Sequence, residues 1–182
     1  MRYSQKSLMV LSALVLAFLM VPASRAQVNS NVATVNLNAP LAESVTVVAG
    51  PGTVNFTLAP NGPATGSAPV TITTSWALAK TRTSVKLYAY FSSATALTDG
   101  AGDNIPNTSV KGSINGGALT VFNTATPYGG NFGVTVFNQV ITAANANSTH
   151  GPDTVALTID TTGLALPAAL YTGVLNIQAQ AL

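Results

Sequence analysis

Val70-Thr-Ile-Thr-Thr-Ser-Trp-Ala-Leu78 is followed, after Ala79–Thr83, by Ser84-Val-Lys-Leu-Tyr-Ala-Tyr-Phe91. In the first run Val70, Ile72, Thr74, Trp76 and Leu78 share one side, opposite Thr71, Thr73, Ser75 and Ala77. In the second, Val85, Leu87, Ala89 and Phe91 share a side, with Lys86, Tyr88 and Tyr90 opposite. Period-2 alternation in runs of eight or nine residues, rich in β-branched and aromatic side chains, marks strands with one buried face. The five residues between them, Ala79–Thr83, carry the turn.

The same pattern recurs on both sides. Val32–Asn38 and Ser44–Val48 flank Asn-Ala-Pro-Leu, where Pro40 interrupts any ladder. Val54, Phe56 and Leu58 alternate with polar or small neighbours. Pro60–Pro69 reads as a loop, and Ser92–Asn107 as a turn-rich segment. Ser109–Asn115 and Ala118–Asn123 form a hairpin around Gly116-Gly117. Phe132–Thr142 is a long strand, Asn145–Pro152 a polar loop, Thr154–Asp160 a strand and Leu164–Leu170 a Pro-broken linker. Thr172–Leu182 closes the chain, with Leu175, Ile177, Ala179 and Ala181 on one face. About ten short strands separated by turn signals predict an all-β fold, an antiparallel β-sandwich of immunoglobulin-like or pilin-like type. Its expected core is Phe56, Ile72, Trp76, Leu87, Phe91, Val155, Leu157, Leu175 and Ile177. The topological rival is an eight-stranded outer-membrane barrel, but the aromatic residues do not recur at strand ends as its girdles require.

Residues 1–26 read as a cleavable signal peptide: Arg2 and Lys6, the apolar run Leu8–Val21, Pro22, then Ser24-Arg25-Ala26. The 14-residue run falls short of the roughly 20 residues of a spanning helix. The expectation is a secreted protein in the periplasm, at the cell surface or outside the cell, without a membrane span after cleavage. Residues 27–182 then form a single domain with four bases (Lys80, Arg82, Lys86, Lys111) against five acids (Glu43, Asp99, Asp103, Asp153, Asp160), a net charge of −1. That is no footprint for nucleic acid. The chain has no cysteine, which removes thiol catalysis and thiolate metal sites.

Chemistry-bearing side chains are few. His150, the single histidine, lies three residues before Asp153, a spacing that suits a carboxylate-oriented base. No nucleophile can be singled out beside it, and the plainer reading is a solvated loop histidine. Asp99-Gly-Ala-Gly-Asp-Asn104 faintly resembles a calcium loop, but Ala101 stands where a ligand is needed; a tight Gly-rich turn is the plainer reading. Lys86, Tyr88 and Tyr90 form a stripe that suits a surface contact or sugar stacking, and otherwise reads as the wet side of a sheet. Asn55, Asn107 and Asn147 begin Asn-x-Ser/Thr sequons, which abundant Asn and Thr produce by chance. The expectation is a protein without catalytic centre, cofactor or metal.

Two segments carry a family resemblance: Val32-Ala-Thr-Val-Asn-Leu-Asn-Ala-Pro-Leu41 with Gly52-Thr-Val-Asn-Phe56, and Leu166-Pro-Ala-Ala-Leu-Tyr-Thr-Gly-Val-Leu-Asn-Ile-Gln-Ala179. They resemble the opening and closing strands of bacterial secreted pilin-like domains, including spore-coat-U-like proteins and fimbrial subunits of chaperone–usher systems. The chain departs from many of these in lacking a cysteine pair near the first strand. The resemblance implies a structural subunit of a cell-surface filament that polymerises with copies of itself by strand donation, with a periplasmic chaperone as a further partner. Gln27–Leu41 suits a donor arm, since Val32, Val35, Leu37, Ala39 and Leu41 are its apolar positions and no charge occurs before Glu43. The same stretch equally suits the first strand of its own sandwich. The alternative function is a secreted carbohydrate-binding module or adhesin that takes a surface glycan through Tyr88 and Tyr90.

Overall fold

The computed structural model of the chain describes residues 30–128 and 130–182. The predicted signal peptide and the first residues of the arm lie outside the described residues. Among the described residues twelve strands are formed: β1 (Ser44–Gly50), β2 (Pro63–Thr65), β3 (Val70–Ala77), β4 (Ser84–Tyr90), β5 (Thr95–Thr98), β6 (Asn104–Pro106), β7 (Val110–Ile114), β8 (Leu119–Val121), β9 (Thr124–Thr126), β10 (Gly130–Val140), β11 (Asn147–Asp160) and β12 (Asn176–Ala181). One sheet runs β1-β3-β11-β7-β8, with β2 also on β11; a second runs β12-β4-β10-β9, and β5–β6 is a separate hairpin. Every strand pairing is antiparallel. The chain is all-β and sandwich-like, because one apolar core draws on both sheets: Val70, Ile72, Val155, Leu157 and Ile159 from the first, Leu87, Ala89, Val134 and Val136 from the second.

The two strands that announced the fold form as read. β3 buries Val70, Ile72, Thr74 and Trp76 and leaves Thr71 exposed, and β4 buries Val85, Leu87 and Ala89. Of the nine expected core residues, six are buried, while Phe56, Leu175 and Ile177 pack half-buried against them.

Several expectations are corrected. The 60–69 loop contains β2, the 92–107 segment contains β5 and β6, and β9 was not foreseen. The hairpin turn is Asn115-Gly116, with φ of 51° and 74°, and not Gly116-Gly117. Two consecutive left-handed residues match the twist of the flanking strands, which explains Asn followed by Gly. The polar loop expected at 145–152 is largely strand: β11 begins at Asn147 and passes through a bulge between His150 and Asp153. Gly151 allows that bulge, since at φ 116° its α-carbon lies so close to β3 that a Cβ would meet the Ile72 carbonyl at 2.6 Å.

Val54–Leu58 is not a strand, although its alternation is real, with Val54, Phe56 and Leu58 half-buried. It runs past β2 with one point of attachment: Ser67 N–H donates to the Asn55 carbonyl at 2.8 Å, and Asn55 N–H donates to Ser67 Oγ at 3.1 Å. Val32–Asn38 is not a strand either. Pro40–Leu182 is one compact unit, and the described residues before it, 30–39, are all exposed.

The closing segment is anchored before β12 begins. Thr172 exchanges two 2.9 Å main-chain bonds with Thr98 of β5. Gly173 lies directly against the Ala96 carbonyl, where any side chain would collide with backbone. That contact accounts for glycine in the Tyr-Thr-Gly sequence.

Candidate functional site

The two flanks of the sandwich differ. On one, β8 and β9 are edge strands of opposite sheets and consecutive in the chain, so Phe122, the single large side chain between them, plugs the flank. It is fully buried against Phe91, ring centroids 5.1 Å apart. On the other, the edge strands β1 and β12 adjoin, and they are not consecutive in the chain. The core-facing residues there are half-buried at most: Val45, Val47, Val54, Phe56 and Leu58 along one edge, Leu175, Ile177, Ala179 and Ala181 along the other, with Ala49 exposed. Their counterparts on the central strands are buried. An edge strand has neighbours on one side only, and its unpaired main chain is a template for another strand.

Among the described residues, no main-chain atom of β1 has a partner on the side away from β3. Between Val54 and Leu58 only Asn55 has main-chain partners among the described residues. Beside this edge Val48 stands 71 % exposed over an open depression of about 700 Å3, lined by Ala49, Gly50, Pro51, Ala68, Pro69, Thr71 and Thr73. The arm is exposed throughout its described length. Val32, Val35, Leu37 and Leu41 are 78–90 % exposed, and Ala39 is exposed with them.

The stripe expected to be wet is covered. Tyr88 and Tyr90 are buried, because Tyr128 from the turn before β10 folds over them. Its ring stacks on Tyr90 at 5.7 Å and meets Tyr88 edge-on at 6.2 Å. Tyr90 donates its hydroxyl hydrogen to Gln178 Oε1 at 2.9 Å, and Tyr128 donates to the Ala179 carbonyl at 2.9 Å. Burial, then the neighbouring Tyr88 and Tyr90, push the Tyr128 hydroxyl pKa upward. Gly133 lies under the stack, where a Cβ would meet Thr126 and Tyr90. Lys86 stays half-exposed on the same face. Tyr88 and Tyr90 therefore offer a sugar no open stacking surface, and nothing in one strand's alternation could have announced the loop that covers them.

The structure does bring His150 and Asp153 together, and not as a solvated loop. His150 Nδ1 lies 2.9 Å from Asp153 Oδ2, and the imidazole stacks on Phe137 at 4.2 Å. Asp153 is 2 % exposed, and its second oxygen accepts a 2.9 Å bond from Asn115 Nδ2, a residue not singled out in the sequence. Asn115 Oδ1 in turn accepts from Thr154 N–H at 2.7 Å. The chain of bonds ties the β7–β8 turn to the bulge of β11, a pinning role. Thr74, opposite His150 in register, is fully buried with no partner for its hydroxyl among the described residues.

Asp99 caps its own loop. One carboxylate oxygen accepts from the N–H groups of Ala101, Gly102 and Asp103 at 2.8–3.1 Å, which is how a Gly-rich turn satisfies its backbone. No group of three or more potential metal ligands occurs among the described residues. No helix among them is long and apolar enough to cross a membrane.

At the start of β1, Glu43 holds Arg82 through two guanidinium nitrogens and accepts Ala79 N–H at 2.6 Å. The Arg82 hydrogen bond, then the Ala79 bond, draw the Glu43 pKa down from 4.5 to about 2. A carboxylate depressed on folding favours the folded state above its unfolded pKa, so this contribution is present above about 4.5 and fades as pH falls through about 2. An NMR titration is expected to place the Glu43 midpoint about 2, and Arg82→Ala to move it back up toward 4.5. A wild-type midpoint near 4.5 would show that the pair does not form. No protein-family model matches the chain, and no curated protein matches it.

Proposed function

We propose that this protein is a secreted, non-enzymatic structural subunit that assembles with copies of itself at the cell surface, the arm 27–41 of one copy adding as a strand to the open flank of the next. The observation that carries this reading is the pairing of an exposed, alternating arm with a flank whose core-facing residues are only half-buried. Added strands of this kind gain affinity from main-chain hydrogen bonds and register from alternate side chains. The resemblance of the opening and closing segments to pilin-like and spore-coat-U-like domains points the same way, toward an immunoglobulin-like or pilin-like sandwich completed by a neighbour. With four bases and five acids after residue 26, the chain also opposes self-association with little repulsion.

Protein beginning at Gln27 is expected to form oligomers or filaments by light scattering and negative-stain microscopy. Protein beginning at Ser44 is expected to stay monomeric with the same far-ultraviolet circular dichroism. A longer form that stays monomeric at high concentration would remove self-assembly. A shorter form that unfolds while the longer one is a stable monomer would make the arm an internal strand.

A further inference from the structure

The open flank offers two unpaired edges, β1 and β12, and they are not equally available. The β12 ladder shows which groups point outward. Leu182 and Ser84 exchange both main-chain bonds, Leu182 N–H to the Ser84 carbonyl at 2.9 Å and Ser84 N–H to the Leu182 carbonyl at 3.4 Å. Antiparallel pairs alternate between bonded and non-bonded, and the register continues through Gln180↔Lys86, Ala179↔Leu87 and Gln178↔Tyr88. Gln180 and Gln178 therefore face β4, while the N–H and C=O of Ala179 point away from it, at the free edge. That outward carbonyl is the acceptor of the Tyr128 hydroxyl.

We infer that Tyr128 guards the β12 edge and that an extended segment of a second copy, its arm 30–41, pairs with the β1 edge. The inference rests on the strand-donation reading above. A strand arriving at β12 must break the Tyr128–Ala179 bond and displace a ring held by stacking on Tyr90 and edge contact with Tyr88. A strand arriving at β1 displaces nothing, because the outward main chain has no partner among the described residues. It also finds apolar surface at Val48, Pro51 and Pro69 for its outward row of side chains. The twelve arm residues extend over about 40 Å, enough to follow both β1 and the stretch 54–58, where Asn55 alone has main-chain partners among the described residues. Edge strands are commonly blunted by lysine, proline or a bulge; here a tyrosine from a distant loop serves, and only on one of the two edges.

The chain contains no cysteine, so disulfide trapping has no background. Full-length chains carrying Asn36→Cys, Leu37→Cys or Asn38→Cys are each mixed with full-length chains carrying Val48→Cys, on the β1 edge, or Gln180→Cys, on β12. After mild oxidation, heterodimers are counted on non-reducing gels. With Tyr128 present, trapping to Val48→Cys is expected to exceed trapping to Gln180→Cys by about tenfold, the scale of one hydrogen bond that must be broken. Tyr128→Phe keeps the ring and loses only the donor, and is expected to raise the Gln180→Cys yield toward that of Val48→Cys. Equal trapping at both edges with Tyr128 intact, or a Gln180→Cys yield that Tyr128→Phe leaves unchanged, would overturn the edge assignment while strand donation stands. Failure to trap at either edge, with a monomeric mass in solution, would overturn strand donation and this inference with it.

Discussion

Phe122→Ala is expected to cost about 3–5 kcal/mol, the range for emptying the site of a large buried aromatic ring. Phe122 is the largest of the fully buried side chains among the described residues. Phe91 lies against it, and it fills the space over Gly112, where a Cβ would meet the ring at 3.2 Å. Its carbonyl accepts a 2.5 Å bond from Asn107 Nδ2, a buried amide that the same crossing must keep satisfied. Because Phe122 stands where the chain passes from the first sheet to the second, the loss is felt on both. In urea the midpoint should fall with little change in slope, and the melting temperature should drop on the order of 10 °C. A change below about 1 kcal/mol would mean that the flank is not closed by this ring.

Asp153→Ala is expected to be the next most damaging substitution, at about 3 kcal/mol, in the range for removing one member of a buried charged network. The carboxylate is buried and accepts from Asn115 on one oxygen while the other meets His150. Removing it leaves the Asn115 amide and the His150 ring without those partners, and frees the bulge that aligns β11 with β3. Asp153→Asn retains the size and one acceptor, and should recover about half of the loss. Urea melts of the two variants check this, with backbone amide shifts of Asn115 and Thr154 as the local readout. Equal stability of wild type and Asp153→Ala would show that the network pins nothing.

The contrast between these two residues shows what could be read early. Asp153 was singled out with His150 by spacing alone, but its burial was not legible, because Asn147–Pro152 has the composition of a loop and becomes strand only where Gly151 lets β11 bulge against β3. Phe122 was assigned to a hairpin strand with nothing to distinguish it from Leu119, which is 53 % exposed. Which of the two is core depends on where the chain crosses between sheets, and that is set by neighbours far away in sequence.

Local alternation by itself determined that this chain makes strands and which face of β3, β4 and β12 turns inward, because a period of two places every second side chain on one surface whatever the topology. It did not determine whether a strand-competent segment finds a partner. Val54–Leu58 alternates as cleanly as β3, yet the neighbouring β2 is already paired with β11, and the main chain of the stretch bonds to 63–69 only where Asn55 and Ser67 meet. Val32–Asn38 alternates too and stays outside the sheets. Tyr88 and Tyr90 lie on the outward face as their positions require, but only the tertiary structure brings Tyr128 over them and its hydroxyl to the edge of β12. Side-chain direction is a property of one strand, whereas pairing and cover are contacts between segments distant in sequence, and only the folded chain decides them.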